Sequence, residues 1–74
     1  MNEKELRQQL DALGIAENQY SINQGLKENA LILEDMSGFW KLSHYERGHE
    51  ELIQIFRSKS EAFESLLQSF KEKN

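Results

Sequence analysis

Residues 39–57 read F-W-K-L-S-H-Y-E-R-G-H-E-E-L-I-Q-I-F-R, two alternating runs joined at Arg47-Gly48. An X-Gly pair between two such runs signals a hairpin, because glycine supplies the positive φ of the favoured two-residue turns. With Arg47 and Gly48 as the loop, antiparallel pairing sets Glu46 opposite His49 and His44 opposite Glu51. It then sets Leu42 opposite Ile53 and Trp40 opposite Ile55. Side chains alternate along a strand, so Trp40, Leu42, Ile53 and Ile55 are expected to share the core face. The turn chooses this register, and the apolar pattern agrees independently.

Working outward, A-L-I-L-E at 30–34 reads as a strand. Asp35-Met36-Ser37-Gly38, with Asp first and Gly last, reads as a type I turn. A four-residue loop there sets Glu34 opposite Phe39, Leu33 opposite Trp40 and Leu31 opposite Leu42, so Leu31 and Leu33 join the Trp40 face. Q-Y-S-I at 19–22 is a short strand candidate closed by the turn formers Asn23-Gln24-Gly25. Residues 3–13 read as a helix, with Leu6, Leu10 and Leu13 on one stripe. Asn2 is its expected N-cap, with Glu5 completing a capping box and Gly14 its C′ stop, where Ile15 meets Leu10. Ser58-Lys59-Ser60-Glu61 is a second capping box. It opens a helix that lines Ala62, Phe63, Leu66, Leu67 and Phe70 on one side and places Lys71 and Lys73 at its negative end.

The expected fold is α+β in two layers: N-terminal helix, a three- or four-stranded antiparallel meander, then a C-terminal helix. Both helices should lie on the Trp40 face. The chain has 74 residues, enough for one small domain spanning 1–74. Its opening at Met1 suggests a complete small protein. With no cysteine it has neither disulfide, zinc-thiolate site nor thiol nucleophile. A polar N-terminus without signal peptide or membrane span points to a reducing cytoplasm. A net charge of −4 favours basic partners and disfavours nucleic acid.

The hairpin tip carries the densest ionisable cluster. In the turn-set register His44, Glu46, His49 and Glu51 project from one face, with facing Cβ atoms about 5 Å apart. They are the candidates for a divalent metal, but with no extended ligand motif and no third histidine a solvated turn with two ordinary His–Glu pairs is the plainer reading. Ser43 cannot reach His44 as nucleophile and base, since strand neighbours point to opposite faces. There is no phosphate loop and no nucleophile elbow. No enzyme, cofactor or resident metal is therefore expected.

The second sheet face is expected to carry Ile32, Phe39, Tyr45, Leu52 and Phe56, interleaved with Lys41, Ser43 and Gln54. Either a helix covers it, or it is an exposed apolar-plus-polar patch of the kind that marks partner surfaces. The expected partner-binding residues are Lys41, Ser43, Tyr45, Leu52 and Gln54, with Glu46 and Arg47 at the tip.

Tyr20-Ser21-Ile22, Gly25-Leu26, Trp40, Tyr45-Glu46-Arg47-Gly48, Phe56 and Ser60-Glu61-x-Phe63 together resemble small immunity proteins of bacterial polymorphic-toxin systems. The resemblance spans about residues 20–67. The chain departs from that pattern at Asn23-Gln24-Gly25, where the family has a double glycine. It departs also at Ser58-Lys59-Ser60-Glu61, which is slightly longer, and at Tyr45, which adjoins Glu46 directly. What the resemblance implies is a cytoplasmic, non-catalytic protein that binds and blocks a toxin domain. The alternatives from the residues themselves are a homodimeric structural or regulatory module using the open sheet face, and a metal-dependent enzyme at the hairpin tip.

Overall fold

Both helices begin at a side chain that can cap them. In the computed structural model, which describes residues 1–72, Asn2 accepts the Glu5 amide through Oδ1 at 2.8 Å and opens α1, Glu3–Ala12. Its C-terminal end is a Schellman motif: Ile15 N–H donates to Leu10 O at 3.0 Å and Gly14 N–H to Asp11 O at 2.9 Å. Gly14 holds φ +78°, the left-handed conformation this cap requires. Ser58 caps the second helix, α2, Lys59–Lys71, accepting from the Glu61 amide at 3.2 Å. Lys71 occupies its last turn, while Lys73 lies outside the described residues. No helix among the described residues is long and apolar enough to cross a membrane.

Between the helices run a 3₁₀ turn at Glu17–Gln19 and four strands: β1 Tyr20–Ile22, β2 Ala30–Asp35, β3 Trp40–Glu46 and β4 His49–Phe56. They form one sheet in the order β1-β2-β3-β4. Both helices cover one face. There Leu6 and Leu10 of α1 and Ala62, Phe63, Leu66, Leu67 and Phe70 of α2 cluster with Tyr20, Ile22, Leu31, Leu33, Leu42 and Phe56. This is the expected two-layer α+β domain. Trp40 sits at the rim of that core, half-buried, its ring edge-on to Phe63 with centroids 5.4 Å apart.

The central turn is the one the sequence predicts. Arg47 and Gly48 have φ +52° and +74°, the two positive values of a type I′ loop. Glu46 faces His49 and His44 faces Glu51. Gly48→Val is expected to lower stability by about 1–2 kcal/mol, because a β-branched residue in the left-handed region clashes with its own carbonyl. Urea midpoints measure it, and a variant as stable as wild type would show the turn to be of another kind.

Beyond Leu52 the predicted register fails. β4 carries a bulge at Ile53: Ser43 faces Leu52, but Leu42 faces Gln54 and Trp40 faces Phe56. The extra residue inverts the rest of the strand. Phe56, expected on the second face, is buried in the core. Ile53 and Ile55, expected in the core, are each 52% exposed. Gln54 crosses to the helix-covered side, opposite Leu42. The exchange places a phenylalanine rather than an isoleucine beside α2, burying the larger apolar surface.

Two further expectations are corrected. The β2–β3 register is shifted by two residues, with Leu33 opposite Leu42, Leu31 opposite His44 and Asp35 opposite Trp40. The loop is therefore 36–39, and Phe39 belongs to it rather than to a strand. Ser37 at φ +59° and Gly38 at φ +137° exclude a type I turn. Asp35 instead accepts the Ser37 amide through Oδ1 at 2.9 Å, and Met36 N–H donates to Phe39 O at 2.8 Å. An even shift preserves the face, so Leu31 and Leu33 still point into the core.

The sheet is also not a complete meander, because β1 runs parallel to β2, Tyr20 beside Leu31 and Ile22 beside Leu33. A parallel neighbour normally needs a long crossover. Here β1 is so short that residues 23–29 suffice to return the chain to its start. Asn23 and Asn29 adopt positive φ at the two ends of that return, as asparagine tolerates.

Candidate functional site

The return loop lies on the face opposite the helices. Ser21 Oγ donates to Gly25 O at 2.6 Å, and Lys27 Nζ donates to Glu17 O at 3.0 Å. Ser21 and Ile32, adjacent on this face, are both fully buried. So among the described residues no helix covers the second face: a loop closes its β1–β2 half, and the β3–β4 half stays open.

The open half has three cross-strand rows. Tyr45 lies between Ala30 and Glu50, Ser43 between Ile32 and Leu52, and Lys41 between Glu34 and Ile55. Its centre is a polar network. Lys41 Nζ stands 3.4 Å from a Glu34 carboxylate oxygen and 3.3 Å from one of Glu50. Ser43 Oγ donates to that same Glu50 oxygen, Oε2, at 2.6 Å. Every buried side-chain nitrogen or oxygen among the described residues has a hydrogen-bond partner.

The network shifts both charged groups. The Ser43 hydroxyl, with help from Lys41, holds the Glu50 carboxyl below the usual glutamate range. Hydrogen bonding and attraction from Glu50, with a smaller pull from Glu34, raise the Lys41 ammonium above the usual lysine value. A depressed carboxyl contributes stability above its unfolded pKa and loses it as pH falls through the folded one. A raised ammonium contributes below its unfolded pKa and loses it as pH climbs through the folded one. Urea midpoints should therefore hold across neutral pH and fall at both ends. Ser43→Ala, which removes the largest cause of the Glu50 shift, should cost about 1–2 kcal/mol at neutral pH and flatten the acid limb. Parallel acid limbs in the two proteins would contradict this assignment.

Around the network lies exposed apolar surface. Leu52 is 55% exposed and Ile55 52%, both on the open face, whereas the half-exposed Ile53 of the bulge turns to the helix side. Ile53 also lines a cleft on the helix side with Leu31, His44, Ser69 and Glu72. Tyr45 is half-buried, and its hydroxyl lies 4.0 Å from the position a Gly48 Cβ would take.

The predicted partner-binding residues are thus partly gathered. Lys41, Tyr45 and Leu52 share the open face, and Glu46 and Arg47 are exposed at its end. Ser43 is on that face but fully buried, so it orients Glu50 and is not available for contact. Gln54 is on the other side of the sheet. Sequence reasoning missed Ile55, which the bulge brings to this face, and passed over Glu50, which the turn-set register already places opposite Tyr45. The apolar doublets Leu52-Ile53 and Ile55-Phe56 were the available signal, since neighbours in a regular strand cannot both face one core.

The metal candidates do not assemble. His44 and Glu51 are paired across the strands, as are Glu46 and His49. Among the described residues no three His, Asp or Glu side chains converge as a metal-binding group. Comparison with protein-family models, with characterised proteins and with solved structures finds no match for this chain.

Proposed function

We propose that this chain is a non-catalytic protein-binding module of the immunity type, a cytoplasmic inhibitor that binds a basic toxin domain through the open β3–β4 face. The observation carrying the reading is the composition of that face. Half-exposed Leu52 and Ile55 flank a network in which the Lys41 ammonium is shared by the Glu34 and Glu50 carboxylates, leaving one net negative charge. Apolar surface around a partly neutralised acidic centre suits burial against a protein that brings a basic group to it.

Arg47 adds support. It is a non-glycine residue at φ +52°, where asparagine, aspartate or glycine would relieve about 1 kcal/mol of strain. Its backbone N–H is held by the Glu28 carboxylate, which fixes the tip. A long cation kept at a strained, exposed turn is the kind of outlier that marks a contact residue. The chain's net charge of −4 would steer a basic partner, acting on association rate more than residence time.

The test is co-expression with the product of the adjacent gene, which this reading expects to carry the toxin domain. Growth arrest by that domain should be relieved by this chain, and the two purified proteins should form a stable complex. Growth arrest that persists despite normal levels of folded protein would overturn the reading.

A further inference from the structure

β4 is the longest strand of the sheet and lies at its end, so its outer edge has no neighbour. Folded proteins usually blunt such an edge with charge, proline or a bulge, because its free N–H and C=O groups recruit another strand. β4 has a bulge, yet three half-exposed aliphatic residues surround it. The bulge does not spoil this edge for every partner. It makes the edge symmetric.

In an antiparallel ladder alternate residues direct their backbone groups away from the neighbour. The two-residue turn closes on the hydrogen-bonded pair Glu46 and His49, so on β4 the outward groups are those of Glu50 and Leu52. The bulge consumes one residue, and the alternation then resumes outward at Ile55 and, past Phe56, at Arg57. The side chains of Glu50, Leu52 and Ile55 also share the open face, opposite Tyr45, Ser43 and Lys41. Outward positions therefore run Glu50, Leu52, Ile55, Arg57, palindromic in spacing about the Ile53-Gln54 pair.

We propose that the chain forms a two-fold homodimer in which β4 pairs antiparallel with β4 of a second copy about this centre, joining two four-stranded sheets into one. In that register Leu52 faces Ile55 of the second copy and Glu50 faces its Arg57, and symmetry repeats each pair. Aliphatic meets aliphatic twice and acid meets base twice. All outward backbone groups find each other. A shift of two residues would instead set Glu50 against an isoleucine or Arg57 against a leucine. Arg57 is exposed and makes no ion pair among the described residues, so it is available. The assembly would also place the Leu52 and Ile55 side chains of both copies side by side on the open face. This inference rests on the edge alone and stands whether or not the face binds a toxin.

The experiment is sedimentation of the full chain over a concentration series, with amide hydrogen exchange at high and low concentration. Wild type should reach twice the 8.7 kDa chain mass, and the amides of Leu52 and Ile55 should become protected only in the dimer. Arg57→Glu sets like charges together twice and should raise the dimerisation Kd roughly 10-fold or more. Its thermal melt should remain cooperative, since the residue is exposed. A chain that stays monomeric at about 100 μM overturns the proposal. So does a dimer that tolerates Arg57→Glu and leaves the β4 amides unprotected.

Discussion

Phe63→Ala should leave this protein largely unfolded at room temperature. The Phe63 side chain is 1% exposed and heads the fully buried residues by volume. It meets the Trp40 ring edge-on, and the Lys59 ammonium stands 5.8 Å from its centroid. Truncating a buried phenylalanine costs about 3–5 kcal/mol, part in lost transfer energy and part in the cavity left behind. A domain of this size holds a net stability of only about 3–5 kcal/mol from its core. Two losses compound, because Trp40 rests on Phe63 and would lose its footing. Circular dichroism and urea titration decide the matter. A cooperative melt close to wild type would show that the α2–β3 contact is not central to the core. Trp40→Ala, expected from sequence to act as a core truncation of similar size, should cost less, since the indole is only half-buried at the rim.

The second large effect is on binding. Tyr45→Ala should weaken the toxin-domain complex by about 2 kcal/mol or more, roughly 30-fold in Kd, while leaving the melting temperature nearly unchanged. Tyr45 is half-buried between Ala30 and Glu50 on the open face, next to the turn that presents Arg47. A tyrosine there offers a large rigid contact area with a polar end and little rotamer entropy to lose. The ring is not part of the core cluster, which is why stability and affinity should separate. Isothermal titration with the purified partner and a thermal melt of the variant measure the two quantities. Lost stability with unchanged affinity would place the interface elsewhere. The edge variant Arg57→Glu tests dimerisation separately, so failure of one reading is not mistaken for failure of the other.

What could be read from the sequence was local. The caps at Asn2 and Ser58, the Schellman stop at Gly14 and the turn at Arg47-Gly48 each depend on a few adjacent residues, and all stand in the structure as expected. The amphipathic stripes of both helices likewise needed only a period. The same turn set the strand pairing correctly as far as Leu52, because register propagates while the ladder is regular. Propagation ended at Ile53. Leu52-Ile53-Gln54-Ile55-Phe56 offers apolar residues to both faces, so alternation alone cannot say which set is buried. The α2 surface chose Phe56, and the bulge is the means by which the chain complies. The same holds at the other end of the sheet, where no local signal distinguishes a hairpin from a short parallel return. There the partner of Tyr20–Ile22 was decided by which edge of the sheet remained free and by what the two helices could cover. The candidate face depended on both of these long-range choices. The hairpin supplied Lys41, Tyr45 and Arg47 from sequence and its turn already set Glu50 opposite Tyr45, but only the folded sheet brought Ile55 to them, sent Gln54 away and left the β4 edge free.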